Sequence, residues 1–220
     1  WCSSDMIQDI WPKHLDNQYK NLEPGNEDTV FYFQGSSLLA RPSGHFNLQN
    51  SEENVLIYPQ YDEFVQGIKS SYGDKAVDNF EFIYLLSIDE EHFFLARKTG
   101  SLERGTFLGE MADSAVHKDM YSFVRGYEFI GVDSFRKAQP REHAYAAITA
   151  FHLYGWYRDN HFCGRCGKPL KHDDKQRMLR CDCCKNMVFP KICPAVIVAV
   201  TDKDRILLTK YAGRTYRNYA

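Results

Sequence analysis

The stretch C-G-R-C-G at residues 163–167 is followed by a second cysteine cluster, C-D-C-C, at residues 181–184. Each C-x-x-C pair can form a tight turn that points two sulfur atoms at one centre. Two such turns facing each other would place four thiolates in a tetrahedron, the geometry that structural zinc favours. Four protein ligands leave no coordination position for water or substrate, so this ion would stabilise the fold and would not catalyse. The expected ligands are Cys163, Cys166, Cys181 and Cys184.

The second cluster contains one cysteine more than a C-x-x-C pair needs. Cys181 with Cys184 repeats the gap of the first pair, whereas Cys181 with Cys183 does not, so we interpret Cys183 as a spare thiol. His161 and His172 are nearby and are further candidate ligands, although we expect both to face solvent.

The segment around the cysteines contains few apolar residues. We expect Gly164 and Gly167 to ease the backbone conformations of the first turn. Because a ribbon of about 30 residues has little core, metal binding would supply most of its folding free energy, on the order of ten kcal/mol.

The composition of the chain excludes several classes of protein. Of its 220 residues, 44% are hydrophobic and 15% are aromatic, which is unlike a disordered chain. The net charge of −2 is too balanced for a general polyanion binder. We find no apolar run long enough to span a membrane and no signal peptide. Without an export signal, the paired cysteine spacing favours metal over disulfides and predicts a cytoplasmic protein.

The cysteine-rich segment is basic. Basic ribbons often contact nucleic acid, but we interpret these side chains mainly as solvated charge. They are Arg165, Lys168, Lys171, Lys175, Arg177, Arg180 and Lys185.

Strands and helices alternate in the front half of the sequence. Residues 29–41 predict two strands joined by a turn at Gly35-Ser36. Residues 80–88 predict a strand that returns, after an acidic turn, as a second strand over residues 92–96. The front half is therefore expected to be mixed α and β.

Three segments show helical spacing of apolar residues. Residues 61–72 and 113–125 predict short helices, and Pro140 opens the longest one at about residues 140–158. The apolar face of this long helix is expected to pack against a core. It consists of Ala144, Ala147, Ile148, Phe151 and Tyr154.

The segment from Phe151 to Lys210 resembles the NADH pyrophosphatase (NudC-type) family of Nudix hydrolases. One shared feature is the long helix that runs into Trp156, His161 and then C-G-R-C-G. The second is the paired C-x-x-C with a short basic loop. The third is F-P-K-I-C-P-A-V-I-V-A-V at residues 189–200, which begins an apolar strand and a hairpin that extends to residue 210.

The resemblance implies hydrolysis of the pyrophosphate of NADH or NAD⁺ to (reduced) NMN and AMP, and removal of NAD caps from RNA. It also implies catalytic Mg²⁺ or Mn²⁺ and a homodimer. The family has an aromatic residue near the nicotinamide end of the substrate, which corresponds to Phe189 before Pro190; an ordinary core phenylalanine is the alternative. Cys193 stands where the family often has a small or acidic residue.

The glutamate-bearing helix of that family, the Nudix box, has no counterpart in residues 1–220. Glu52-Glu53 and Glu90-Glu91 are adjacent pairs that we interpret as solvated charge. We therefore name no catalytic residue and expect the box beyond Ala220. On this reading the chain is a fragment that is inactive alone, and Trp1 to Asp5 precede its natural start at Met6.

The expected fold class is α+β. We expect a Nudix-like N-terminal domain at residues 6–137, a linking helix at 138–159, a zinc ribbon at 160–191 and the first strands of an incomplete catalytic Nudix domain at 192–220. The alternative to the hydrolase is a zinc-ribbon module that binds nucleic acid or has a structural role.

Overall fold

The computed structural model describes residues 6–43, 55–99, 123–194, 196 and 198–209. The chain divides into two compact units, residues 1–190 and residues 191–220. Neither helix in the described part of the chain is long and apolar enough to cross a bilayer.

The first unit contains two α-helices, two 3₁₀ helices and ten strands among its described residues. The helices are α1 (Tyr61–Tyr72) and α2 (Arg141–Asp159), and the 3₁₀ helices are Asp74–Asn79 and Val132–Lys137. The strands are β1 (Leu15–Asp16), β2 (Thr29–Gln34), β3 (Ser37–Ser43), β4 (Val55–Ile57), β5 (Phe80–Ile88), β6 (Glu91–Lys98), β7 (Glu128–Gly131), β8 (Leu170–His172), β9 (Leu179–Cys181) and β10 (Met187–Val188).

Seven strands form one mixed sheet. Its order is β1-β5-β6-β2-β3-β4, and β7 pairs with β3 as well. The pair β2–β6 is parallel, whereas the other pairs are antiparallel. Strands β8, β9 and β10 form a separate antiparallel sheet around the cysteine pairs.

Helices cover both faces of the large sheet. Phe33 on β2 packs beside Tyr154 of α2, with ring centroids 5.1 Å apart. The neighbouring Tyr32 points to the opposite face, where its ring lies 5.5 Å from Phe64 of α1. Because β2 is buried on both faces, its sequence is a continuous apolar run and not an alternating one.

One residue is inserted into the pairing between β5 and β6. The register changes between the pairs Tyr84–Phe94 and Leu86–Phe93, so Leu85 is bulged. Leu85 and Leu86 consequently belong to the same buried cluster, the one that contains α2, although they are consecutive. The bulge thus interrupts the alternation of side chains between the two faces of β5, so that both leucines belong to the cluster that contains α2.

Most of the predicted elements are confirmed. The turn at Gly35 has a φ of 57°, α1 covers residues 61–72, and α2 begins directly after Pro140. Of the helix expected at residues 113–125, residues 113–122 lie outside the described part, and residues 123–125 are not helical.

The second unit contains a shorter hairpin than the apolar sequence predicted. Its strands are β11 (Thr201–Asp202) and β12 (Arg205–Ile206). The turn of this hairpin lies between them, where Lys203 has a φ of 56°. The described residues between 194 and 200 do not form a strand, so the predicted strand length was wrong there.

The interpretation of Glu91 as solvated charge was wrong. Its carboxylate accepts hydrogen bonds from Thr29 Oγ1 at 3.0 Å and from His143 Nε2 at 2.9 Å. Burial acts to raise the pKa of Glu91, but the hydrogen bond from His143 lowers it overall. Glu91 therefore ties β6 to β2 and α2, while Glu90 is exposed. The pair Glu52-Glu53 lies outside the described residues.

Candidate metal centre

The two cysteine turns have the same backbone geometry. In the first, the N–H of Gly167 donates to the carbonyl of Cys163 at 2.8 Å. In the second, the N–H of Lys185 donates to the carbonyl of Cys181 at 2.9 Å. Both residues have a positive φ, 70° at Gly167 and 59° at Lys185. The chain therefore forms the same knuckle twice, once with glycine and once with lysine at the left-handed position.

Each knuckle is closed by a second backbone hydrogen bond. The N–H of Cys163 donates to the carbonyl of Lys168 at 2.8 Å, and the N–H of Cys181 donates to the carbonyl of Asn186 at 2.9 Å. These paired bonds fix where the first cysteine of each turn points. Gly164, in contrast, does not have a positive φ, so only Gly167 fulfils the expected role of glycine.

The four sulfur atoms of the two C-x-x-C pairs lie within 4.8 Å of one another. The Sγ atoms of Cys163 and Cys184 are 3.5 Å apart, and those of Cys166 and Cys181 are 3.4 Å apart. Thiolates around zinc at about 2.3 Å would be roughly 3.8 Å from each other in a tetrahedron. Four sulfur donors at this spacing could hold a metal ion such as zinc.

Backbone N–H groups stabilise negative charge on the first cysteine of each knuckle. The N–H of Arg165 donates to Cys163 Sγ at 3.4 Å and, together with the N–H of Cys166, lowers the pKa of the Cys163 thiol. The backbone N–H of Cys184 likewise lowers the pKa of the Cys181 thiol. Because metal ligands must be deprotonated thiolates, both effects favour binding of a cation.

Two further thiols are described, and both are exposed. Cys183 is exposed and is not among the four clustered sulfurs, which agrees with its interpretation as a spare thiol. Cys193 is exposed as well. Cys2 lies outside the described residues.

The expectation that His172 faces solvent was wrong. Its Nε2 accepts a hydrogen bond from the Tyr157 hydroxyl at 2.7 Å, and its Nδ1 donates to the carbonyl of Asp173 at 2.9 Å. The ring of Tyr19 lies 5.2 Å away, centroid to centroid. Burial lowers the pKa of His172, so the neutral ring is favoured. Neither His172 nor His161 belongs to the sulfur cluster.

Arg177 is also not the solvated charge that its place in a basic segment suggested. One guanidinium nitrogen, Nη2, donates to the carbonyl of Leu85, and the guanidinium lies over the ring of Tyr19 at 5.6 Å. This cation therefore docks the cysteine-rich segment onto the bulge of β5. No pattern in the sequence distinguishes Arg177 from its basic neighbours, because its partner is 92 positions away.

The other basic residues of the ribbon are exposed, as expected. Lys171 pairs with Asp182 at 2.6 Å and Arg180 pairs with Asp173 at 3.4 Å. Four others have no ion pair within the described ranges: Arg165, Lys168, Lys175 and Lys185.

Phe189 follows β10 and is 49% exposed. Its ring is therefore not part of a packed core in the described structure. This exposure leaves a planar apolar surface open to a ligand, although exposure alone assigns no ligand to it.

Comparison with known proteins yields no match to a family model. It does yield curated relatives called NAD-capped RNA hydrolase NudC. That of Pseudomonas aeruginosa (strain LESB58) is 38% identical over 55 residues, and that of Pseudomonas putida (strain W619) is 40% identical over 55 residues. That of Salmonella typhi is 36% identical over 59 residues.

These alignments cover 25–27% of this chain and only 20–23% of each relative. The chain therefore matches about a fifth of the length of these curated relatives. Together they support a relationship of this chain to the NudC hydrolases of the Nudix superfamily, carried by about a quarter of its sequence.

Proposed function

We propose that the protein containing this chain hydrolyses the pyrophosphate bond of NADH or NAD⁺, yielding (reduced) NMN and AMP, and also removes NAD caps from RNA. The observation that carries this proposal is the identity of 36–40% to three proteins named as NAD-capped RNA hydrolases. The clustered cysteines support it as well, because a paired C-x-x-C motif is one of the sequence features that carry the resemblance to the NudC-type family.

Zinc is the ion that we assign to the sulfur cluster, with Cys163, Cys166, Cys181 and Cys184 as its ligands. Four soft thiolate donors in a closed tetrahedron suit zinc, and this arrangement leaves no position for substrate. The ion therefore has a structural role: it holds the two knuckles together and supports the strands β8, β9 and β10.

Catalysis requires a second kind of metal in this proposal. Mg²⁺ or Mn²⁺ would polarise the pyrophosphate and activate water when bound. We assign no ligand for these ions among residues 1–220. Phe189 is the one substrate contact that we propose here, and its half-exposed ring would stack on the nicotinamide.

We also propose the domain organisation that the family resemblance implies. Residues 6–137 form a Nudix-like N-terminal domain, residues 138–159 the linking helix, residues 160–191 the zinc ribbon and residues 192–220 the start of the catalytic domain. We further propose a homodimer located in the cytoplasm.

The test uses the complete product of the gene that encodes this chain. Incubated with Mn²⁺ and NADH, it should release reduced NMN and AMP, and with NAD-capped RNA it should release NMN and leave a 5′-monophosphate. Chromatography resolves these products. If neither substrate is cleaved by a zinc-loaded protein, the proposal is wrong. The 220-residue chain alone serves as the control and should release nothing.

A second candidate is a nucleic-acid-binding ribbon without hydrolase activity. It is favoured by the four exposed cations that lack ion pairs among the described residues: Arg165, Lys168, Lys175 and Lys185. Such binding would weaken steeply with salt, because cations that neutralise phosphates release counterions. A salt-sensitive affinity for generic RNA that NADH does not compete away would favour this function over the hydrolase.

A further inference from the structure

A cleft of about 290 Å³ lies where the cysteine-rich segment meets the large sheet and α2. Its apolar wall contains Leu85 and Leu86 of the β5 bulge, which are fully buried, and Leu153 of α2, which is partly buried. Its polar residues are Asn17, Thr149, His152 and Arg177. No acidic residue lines the cleft in the described part of the chain.

Within the part of the chain that the structure describes, no carboxylate forms an ion pair with Arg177. Its hydrogen bond goes to the neutral carbonyl of Leu85, and its other close neighbour is the neutral ring of Tyr19. The nitrogen Nη1 is buried and has no hydrogen-bond partner within the described residues. A guanidinium stays protonated in proteins, so this site retains a positive charge with an unused donor.

One acidic side chain of the same loop, that of Asp173, is already engaged. The carboxylate of Asp173 accepts from the backbone N–H groups of Lys175 and Gln176, at 2.9 and 3.1 Å, and pairs with Arg180. An unpaired buried charge is costly, and an anion that enters the site removes that cost. Among the described residues Arg177 is therefore left without a carboxylate partner, which an entering anion would supply.

We propose that this cleft binds a small organic anion whose carboxylate or phosphate pairs with Arg177 and whose apolar part lies against Leu153, the partly buried leucine of the cleft. The volume is close to the lower end for small-molecule sites, so it suits a compact ligand. Thr149 and His152 add polar groups at the cleft. The proposal uses no residue of the sulfur cluster and does not depend on the proposed hydrolase function.

Binding at this position joins two parts of the first unit. Arg177 belongs to the loop between β8 and β9, whereas Leu86 and Leu153 belong to the sheet and to α2. A ligand that contacts both would stabilise the docked ribbon, and the thermal midpoint of the folded protein would rise with ligand concentration.

The experiment titrates the zinc-loaded chain with benzoate, phenyl phosphate and inorganic phosphate, with benzyl alcohol as a neutral control. Calorimetry gives affinity and a thermal melt gives stabilisation. We expect benzoate or phenyl phosphate to bind and raise the melting temperature, with benzyl alcohol at least tenfold weaker. The two anions distinguish a carboxylate from a phosphate preference. If inorganic phosphate binds as tightly as phenyl phosphate, the proposed apolar contact is wrong. If neither organic anion binds, the whole proposal is wrong.

Variants locate the binding. Arg177→Gln should weaken the anion at least tenfold, while Arg165→Gln, which changes an exposed and unpaired arginine of the same ribbon, should leave the affinity unchanged. If Arg177→Gln does not fold, Leu153→Phe fills the cleft with Arg177 intact and should also weaken binding at least tenfold. If the folded variants among Arg177→Gln and Leu153→Phe bind the anion with unchanged affinity, the anion lies elsewhere and the assignment is refuted.

Discussion

The hydroxyl of Tyr157 on α2 donates a hydrogen bond to Nε2 of His172 on β8 at 2.7 Å. Tyr157 is fully buried, and the guanidinium of Arg97 from β6 lies over its ring at 5.0 Å. The helix, the large sheet and the cysteine-rich segment therefore meet at this pair. Because Nδ1–H donates to the carbonyl of Asp173, the neutral ring leaves Nε2 free to accept the hydrogen bond from this hydroxyl.

We predict that this pair makes stability depend on pH. Burial lowers the pKa of folded His172 below the value of the unfolded chain, about 6.5. Above that pH both states are neutral and the stabilisation is complete. As the pH falls through 6.5, the unfolded chain binds a proton that the folded chain does not, so stability decreases. Urea unfolding of zinc-loaded protein between pH 7.5 and 5.5 measures this slope.

The variant His172→Gln should reduce the slope by up to about 1.4 kcal/mol per pH unit, the value for one proton. His152→Gln, at an exposed histidine of α2, is the matched control for the loss of an imidazole. Equal slopes in wild type and His172→Gln would show that His172 titrates alike in the folded and unfolded chains.

The sulfur cluster predicts that Cys184, and not the adjacent Cys183, is a ligand of the metal. Cys184→Ser should lower zinc affinity at least tenfold, because a hydroxyl is a poorer zinc ligand than a thiolate. Cys183→Ser changes the adjacent exposed thiol, so it should retain one zinc per chain. Zinc released to a chromogenic chelator measures both. Equal loss in the two variants would contradict the assignment of Cys184.

Removal of the metal should unfold residues 160–191 before the large sheet. The ribbon has short strands and few buried side chains, so zinc supplies most of its stability. Hydrogen exchange in excess chelator should show early loss of protection in β8, β9 and β10 while β5 and β6 stay protected. Unchanged exchange of the ribbon would exclude a folding role for the ion.

The two glycines of the first knuckle should respond differently to alanine. Gly167 has a φ of 70°, so Gly167→Ala should destabilise the zinc-loaded ribbon by about 1–2 kcal/mol. Gly164 has no positive φ, and an added Cβ would meet no atom within 4 Å, so Gly164→Ala should cost less than about 0.5 kcal/mol. The rates at which excess chelator unfolds the ribbon compare the two variants. Similar rates would refute the predicted difference between Gly167→Ala and Gly164→Ala.

Local patterns in the sequence were sufficient for elements that depend on neighbouring residues. The hairpin at Gly35, the bounds of α1 and the start of α2 after Pro140 follow from turn chemistry and periodicity. The pairing of the cysteine turns follows from their equal spacing. Even the choice of Cys184 over Cys183 agrees with the observed cluster.

Three of the predictions that were wrong concern long-range contacts. Glu91, His172 and Arg177 all looked like solvated polar residues, because nothing adjacent to them in sequence indicates a partner. Each is held by residues of a different element, such as His143, Tyr157 or the bulged Leu85. Apolar periodicity cannot locate such contacts, since it records which face is buried and not which polar group lies opposite.

The exposure of Phe189 leads to a prediction that separates packing from substrate binding. Phe33 is buried between Phe151 and Tyr154, so Phe33→Ala should cost about 3–5 kcal/mol of stability. Phe189 is 49% exposed, so Phe189→Ala should cost less than about 1 kcal/mol. If its ring stacks on nicotinamide, the loss of about 1–3 kcal/mol of stacking should raise KM for NADH roughly 5- to 150-fold in the complete gene product. Urea unfolding and steady-state kinetics measure the two quantities independently. A stable Phe189→Ala enzyme with unchanged KM would remove Phe189 from the substrate site, whereas a large loss of stability would show that its ring packs against protein.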